Sequence, residues 1–293
     1  MSDTPDSAAI LDDVETLEQE TPATPATPAV PEPEKDTAHL AEIYSSIQGE
    51  GPYVGCRQIF VRFYGCHLKC AFCDTPETVT FNQVAGFRPS RYRFEKSPGG
   101  GDFETQPNPC SLDRLRDHII DLDNPRGLHH SVAITGGEPL IHARYLANLF
   151  PMLKDRGFQI YLETSGDLDK MFNRVSEWVD IVAMDIKLPS VTHDKPRWDM
   201  HRSFLSACME SETETFAKVV VSEATDMSDV DEAVNVVAEC APHIPLIIQP
   251  LTPMGSAKNP PTPAQLLEWH RRLTQKIADV RVIPQTHKSV GLA

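Results

Sequence analysis

From Glu42 onward, short apolar runs alternate with amphipathic stretches, and no other feature limits what this chain can fold into so strongly. Ile59 to Tyr64, Ser131 to Thr135, Phe158 to Glu163, Asp180 to Asp185, Phe216 to Val221, Ile244 to Gln249 and Val280 to Ile283 are four to six residues long and rich in β-branched or aromatic side chains, the pattern of strands. Helical stretches are expected between them at about 111–122, 142–156, 168–178, 197–209, 228–240 and 262–278. In the last, Thr262 can cap the helix, Pro263 suits its first turn, and Leu266, His270, Leu273 and Ile277 recur on one face. Strand and helix in alternation imply parallel strands joined by crossovers. About six such strands are too few for an eightfold barrel, so the expected fold is α/β, a partial (β/α) barrel open on one side.

Two segments stand outside the alternation. Residues 1–40 hold ten acidic side chains, one lysine, six prolines and a Thr-Pro-Ala repeat from Thr21 to Ala29. They account for −9 of the formal net charge of −15, leaving −6 for residues 41–293. So little apolar surface cannot offset the entropy of ordering, and a disordered tail is expected. The second segment, about 76–110, is an insertion carrying Arg88, Arg91, Arg93 and the Gly99 to Gly101 run. Nothing basic and aromatic suggests a nucleic-acid partner. No apolar run is long enough to span a membrane, and Met1 to Glu20 has no basic residue, which argues against a secretory signal and for a cytoplasmic location.

The distinctive polar residues cluster just after strand ends, where ligands bind in parallel α/β folds. After the first strand, Cys66, Cys70 and Cys73 are spaced CxxxCxxC. Three thiolates are one short of the four that usually hold a [4Fe–4S] cluster, which would leave one iron open to a small molecule. They could instead be part of a zinc site with His67, or small buried hydrophobes. The remaining cysteines, Cys56, Cys110, Cys208 and Cys240, are scattered, so neither a second zinc pair nor a disulfide framework is suggested. After the second strand, Gly136-Gly137-Glu138-Pro139 offers a close backbone approach and a carboxylate able to accept from an ammonium.

Together, the cysteine triplet and this glycine motif resemble the cluster loop and amine-binding motif of the radical S-adenosylmethionine (SAM) superfamily. A narrower resemblance rests on Ser45 to Gly51 (SSIQGEG), Val61 to Cys66 (VRFYGC), Cys73-Asp74-Thr75, Thr135 to Pro139, Glu163 to Gly166 and Gln285 to Lys288. These segments are similar to the 7-carboxy-7-deazaguanine synthase family, and the likeness extends from about Ile43 to the end.

That resemblance implies SAM- and Mg²⁺-dependent ring contraction of 6-carboxy-5,6,7,8-tetrahydropterin with loss of ammonia, on a route to queuosine and other 7-deazapurines. It implies a [4Fe–4S] cluster on Cys66, Cys70 and Cys73, and Mg²⁺ at Thr75. SAM contacts would come from Phe72, Cys73, Asp74, Gly136, Gly137, Glu138, Ser165, Asp185, Lys187 and Gln249. Many family members have Ser-Pro-Lys where this chain has Asp185-Ile186-Lys187, so Asp185 could instead bond a ribose hydroxyl. Substrate contacts would come from Ile47, Gln48, Gly49, Glu50, Arg62, Thr135 and His287. Arg62 sits in an apolar strand, so it needs a carboxylate partner, either the substrate's or an internal one. For Thr75 the competing reading is a turn or cap residue. An electron donor such as flavodoxin and a homodimer follow by the same resemblance. Two other functions share parts of the pattern: a radical SAM activase of glycyl-radical enzymes, and a non-catalytic zinc or iron–sulfur binding module.

Overall fold

The computed structural model describes residues 36–79, 89–253 and 258–292. The expected tail up to residue 35, and Arg88 of the insertion, lie outside the described residues. The described strands are β1 Thr37–Ala38, β2 Leu40–Ile47, β3 Arg57–Phe63, β4 Arg91–Glu95, β5 Phe103–Pro107, β6 Cys110–Ser111, β7 Ser131–Gly136, β8 Ile160–Thr164, β9 Ile181–Ile186, β10 Glu214–Val221, β11 Leu246–Pro250 and β12 Val280–Val282. β3 and β7 to β12 form one parallel run in the order β3-β7-β8-β9-β10-β11-β12. Helices Leu112–Leu122, Ala143–Lys154, Trp198–Glu210, Met227–Cys240 and Pro263–Leu273 lie in the connections, as the alternation requires. This is the expected partial barrel of parallel strands.

The two faces of the sheet differ because side chains alternate along each strand. Val61 and Phe63 of β3, Val132 and Ile134 of β7, Ile160 and Leu162 of β8, and Val182 and Met184 of β9 pack into one large core with the helices. The intervening positions face the other way, where Phe60, Ala133, Tyr161, Ala183, Phe216 and Ile247 form a smaller apolar cluster. Two residues further along each of these strands stands a polar side chain: Arg62, Thr135, Glu163, Asp185, Lys218 and Gln249. The inner face is therefore apolar toward one end of the strands and polar toward their carboxyl ends.

Several local expectations change. β2 was not anticipated: its buried Ser45 and Ser46 break the apolar pattern, yet it pairs antiparallel with β3. The region 76–110 is partly built into the sheet, because β4 pairs parallel with β2 and antiparallel with β5. Arg57 secures this hairpin by donating Nη2–H to the Pro98 carbonyl at 2.8 Å, and Glu95 accepts from the Ser45 amide at 2.8 Å. Order begins within the segment assigned to the tail, since β1 pairs with β6. The 168–178 stretch is a short helix, Asp169–Phe172, and a 3₁₀ turn, Ser176–Trp178, because an i to i+3 bond from Val175 to Phe172 buries both side chains. The final long helix does begin at the Thr262 capping box, but it stops at Leu273, where the Thr274 hydroxyl takes the Arg271 carbonyl at 2.9 Å.

One close approach fixes the upper end of the sheet. Gly136 has φ +140°, and a Cβ there would lie 2.2 Å from the Phe63 carbonyl oxygen; one on Gly137 would lie 2.2 Å from the Gly65 carbonyl oxygen. The Gly137 and Glu138 amides instead donate to Phe63 O at 3.2 Å and Gly65 O at 2.8 Å. His142, at the end of the 3₁₀ turn that follows, supports the same strand end by bonding the Tyr64 carbonyl through Nε2 at 2.8 Å.

Burial lowers the His142 imidazole from 6.5 to about 4, because its Nδ1 is buried with no partner among the described residues and a second proton there would be unsatisfied. The unfolded chain therefore takes up a proton that the folded chain refuses, and this stability is full above pH 6.5 and lost as pH falls toward 4. The expected loss is on the order of 3 kcal/mol, the size of a shift of about two units. Denaturant unfolding between pH 7 and 4.5 should show it, with a shallower pH slope in His142→Gln, which retains a donor for Tyr64.

Candidate active site

The carboxyl ends of the parallel strands surround a cavity of about 330 Å³. Its lining includes Ile47, Gln48, Gly49, Glu50, Arg62, Cys66, Cys70, Phe72, Cys73, Asp74, Thr75, Thr135, Gly136, Gly137, Ser165, Asp185, Lys187, Gln249 and His287. Of the residues expected from sequence, Glu138 alone is absent from that lining. It is buried behind the motif, where its carboxylate accepts from Leu140 N (3.0 Å), Thr164 Oγ1 (2.9 Å), Ser165 N (2.8 Å) and Ser165 Oγ (2.8 Å). Burial pushes its carboxyl upward. Glu138 thus joins the loops after β7 and β8, while the motif presents Gly136 and Gly137 to the cavity.

The three cysteines lie on the loop after β3, whose neck is closed by a bond from Gly65 N to Thr78 O at 2.9 Å. Cys66 packs with Leu68 and Val79, and partly buried Cys70 and Cys73 adjoin them. Burial pushes the Cys66 thiol up to about 12 and raises Cys70 as well. Protonated thiols do not attract one another, and among the described residues no three Cys, His, Asp or Glu side chains are gathered in metal-binding geometry. Cluster binding would have to displace these protons. His67 Nε2 bonds Asp167 Oδ2 at 2.8 Å, and its Nδ1 is buried with no hydrogen-bond partner among the described residues. Thr75 Oγ1 lies 4.0 Å from Cys73 Sγ and 3.4 Å from Thr78 Oγ1, and its carbonyl receives the Thr78 hydroxyl at 2.7 Å. Its side chain does not cap the following 3₁₀ turn, so the turn uses the Thr75 backbone and leaves its hydroxyl on the cavity wall.

The floor is strongly charged. Lys218 of β10 is bonded to Glu50 and lies 3.3 Å from Asp185, while Lys187 Nζ holds the same Asp185 oxygen at 2.8 Å. Burial alone would raise Glu50, but the Lys218 ammonium brings it down to about 2. Burial is the largest influence on both lysines and opposes their charge, but Asp185 together with the other acidic groups around each of them outweighs it, so both stay protonated. Glu163 is pushed upward by burial and then by the Glu50 charge, and accepts from Gln48 Nε2 at 2.9 Å. Arg62 has the internal partner that sequence left open: Nε bonds Glu42 at 3.0 Å and Nη2 bonds the Tyr44 hydroxyl at 3.0 Å. The segment after β2 crosses this floor, with Tyr53 packed against Tyr161 and Phe216. The last described segment then closes it: Thr286 N bonds Gly49 O at 2.9 Å, and Gln285 Nε2 bonds Glu50 at 2.7 Å.

Glu42, Tyr44, Glu163 and Lys218 also line the cavity but had no assigned role. Glu163 and Lys218 had a findable signal, since each follows an apolar residue by two in a strand. Glu42 and Tyr44 did not, because β2 was not recognised.

Two buried acceptors in the lining, Asp185 Oδ1 and Gln249 Oε1, have no hydrogen-bond partner among the described residues. Leaving such groups unsatisfied costs free energy. They fit a ligand that brings hydroxyl or ammonium donors, as SAM does. The three thiols on the adjoining loop are the donor type that an iron–sulfur cluster takes.

Comparison with known proteins follows the same lines. The family model described as Radical SAM superfamily matches residues 60–205. A 7-carboxy-7-deazaguanine synthase from Geobacter sulfurreducens is 39% identical over 258 residues, covering 88% of this chain and 98% of the relative. One from Thermococcus kodakarensis is 34% identical, covering 86% and 98%. Among solved structures, QueE from Escherichia coli is similar with a TM-score of 0.53 at 20% identity, over 85% of this chain and 94% of that one. A radical SAM methyltransferase from Sphaerobacter thermophilus gives 0.55 at 12% identity, over 83% and 77%. At such identities these two structures share the fold.

Lys218→Ala would leave the Glu50 and Asp185 carboxylates facing each other without their shared cation. A loss on the order of 3 kcal/mol in denaturant unfolding is expected, because one partner of a buried pair is removed. Lys218→Arg should recover part of it.

Proposed function

The chain belongs to the 7-carboxy-7-deazaguanine synthase family of radical SAM lyases, and we propose that its cavity carries out the ring contraction of 6-carboxy-5,6,7,8-tetrahydropterin to 7-carboxy-7-deazaguanine. The observation that carries this reading is the shared lining: the cysteine loop, the Gly136–Gly137 backbone and the polar inner-face residues meet in one small cavity with a charged floor. The three thiols of the cysteine loop would hold a [4Fe–4S] cluster, which when bound would supply one-electron reduction for radical chemistry with SAM.

The protein's own residues divide into three groups in this reading. Cys66, Cys70 and Cys73 hold the cluster. Phe72, Asp74, Gly136, Gly137, Ser165, Asp185, Lys187 and Gln249 surround SAM, with the unpartnered oxygens of Asp185 and Gln249 as acceptors. Glu138 acts from behind, keeping Ser165 and the glycine backbone in register through its hydrogen bonds. Ile47, Gln48, Gly49, Glu50, Arg62, Thr135 and His287 enclose the pterin. Arg62 is prealigned by Glu42 and Tyr44 to receive the substrate carboxylate, a bidentate match for a guanidinium. Glu163 adds a buried carboxyl beside Gln48, able to accept from the N–H edge of a pterin.

The Thr75 hydroxyl is assigned to Mg²⁺, a hard cation that takes oxygen ligands and retains water. A one-electron donor such as flavodoxin, a homodimer and a cytoplasmic setting belong to the same proposal. No helix among the described residues is long and apolar enough to cross a membrane.

Anaerobically reconstituted protein given SAM, a reductant, Mg²⁺ and the carboxytetrahydropterin should form the deazapurine, detected by absorbance and mass. SAM cleavage without that product would remove the substrate assignment. Cys70→Ala should lose the brown chromophore and its iron. Thr75→Ala should retain both and lose Mg²⁺ stimulation, so an unchanged Mg²⁺ response would remove the metal assignment.

A further inference from the structure

Asp167 has a fully buried side chain, yet it joins three separate parts of the site. Its Oδ2 accepts from His67 Nε2 at 2.8 Å and from Arg197 Nη1 at 3.0 Å, and its Oδ1 lies 2.6 Å from Ser165 Oγ, whose single hydrogen it shares with Glu138 Oε2. Ser165 is in turn held by Glu138. Such a set satisfies a carboxylate that would otherwise be costly to bury. His67 sits between Cys66 and Cys70, and none of the roles assigned above uses it.

The neck of the cysteine loop is the Gly65 to Thr78 bond, Ala71 N reaches Thr192 O at 3.3 Å near Cys70, and Phe72 packs against the main core with Lys187 Nζ 5.3 Å from its ring centre. Toward the start of the loop, Leu68 packs into the small cluster of Cys66 and Val79. His67 supplies the side-chain tie between this loop and the loop after β8. A chain segment that must present three thiolates together loses conformational entropy on doing so, and anchoring it beforehand lowers that cost. Metal sites use partners behind the ligands in this way, and removing such partners typically costs 10–100-fold in metal affinity.

We propose that Asp167 is a positioning residue for the iron–sulfur cluster, acting through His67 to hold the half of the loop that carries Cys66 and Cys70. The same carboxylate bonds Ser165, so the cluster loop and the proposed SAM pocket share one anchor. The inference rests on the reading of Cys66, Cys70 and Cys73 as the cluster ligands. Its alternative is a purely structural carboxylate that pairs Arg197 and supports the start of the Trp198–Glu210 helix. His67 separates the two, because changing it leaves the Asp167–Arg197 pair in place.

Wild type, His67→Ala, His67→Gln, Asp167→Asn and the double variant His67→Ala/Asp167→Asn would be reconstituted anaerobically and challenged with a ferrous chelator. Unfolding of each full-length apo-protein would be measured in parallel. His67→Ala and Asp167→Asn should release iron at least about tenfold faster than wild type, and the double variant no faster than the faster single. His67→Gln, which restores an N–H donor, should recover much of the retention. The His67→Ala apo-protein should be somewhat less stable, since buried Asp167 loses a donor, but should stay fully folded under the iron-release conditions, and the change in the reduced cluster's electron paramagnetic resonance on adding SAM should persist. Equal release rates throughout, effects that multiply in the double variant, or iron loss that merely follows apo-protein destabilisation would each overturn the proposal. A wild type that takes up no four-iron cluster would overturn instead the ligand reading beneath it.

Discussion

The site depends on the contact between the end of β3 and the turn after β7. A Cβ at Gly136 or Gly137 would stand 2.2 Å from a carbonyl oxygen of Phe63 or Gly65, so only glycine allows the two backbones to meet there. Because they meet, the Glu138 amide bonds Gly65 and the Glu138 carboxylate reaches the Thr164–Ser165 turn. Three loops from three neighbouring strands are thereby locked together around one cavity. The glycine pair is usually regarded as a place where backbone faces a ligand; here it also sets the distance at which the cysteine loop stands from the rest of the pocket.

Sequence carried much of this because two periodicities coincide. Helix and strand alternate along the chain, and inward-facing residues recur by two along each strand. The pairs Phe60–Arg62, Ala133–Thr135, Tyr161–Glu163, Ala183–Asp185, Phe216–Lys218 and Ile247–Gln249 give one apolar and one polar side chain per strand on the same face. Parallel register aligns them, with Arg62 opposite Thr135 and Lys218 opposite Asp185. An apolar layer, and beyond it the polar layer that makes the charged floor of the cavity, are consequences of the pleat. The positions after strand ends could be read for the same reason, since loops at that end must line whatever the polar layer encloses.

What escaped sequence reading was long-range or counter to pattern. β2 carries buried serines whose partners, Glu95, Arg57 and His129, come from three distant segments. No local rule exposes such partners. The β4–β5 hairpin sits in a stretch rich in glycine and charge that reads as a surface insertion, and it joins the sheet by pairing with Glu42 and Ile43 of β2, with Glu42, Ser45 and Arg57 supplying further long-range partners. Glu138 is the subtler case. Its place in the motif was legible, but its carboxylate points into protein because three donors from the Thr164–Ser165 turn and the Leu140 amide of its own turn converge on it.

Charge within the cavity follows from that construction. Lys187 and Lys218 share Asp185, Lys218 also holds Glu50, and Arg62 is paired with Glu42. An incoming carboxylate at these three positions therefore meets cations that already have partners and must use the donors that remain on them. A guanidinium suits this better than an ammonium, since it has five donors in a fixed plane and Glu42 and Tyr44 engage it through Nε and Nη2. The internal carboxylate thus aligns Arg62 without exhausting it, and the two readings that sequence set against each other, internal partner or substrate partner, become complementary. Glu163 is left out of this pairing, pushed toward its neutral form by burial and by Glu50. A substrate that brings N–H donors would favour its charged form and could also meet Asp185 Oδ1 and Gln249 Oε1, the lining acceptors left without a partner among the described residues.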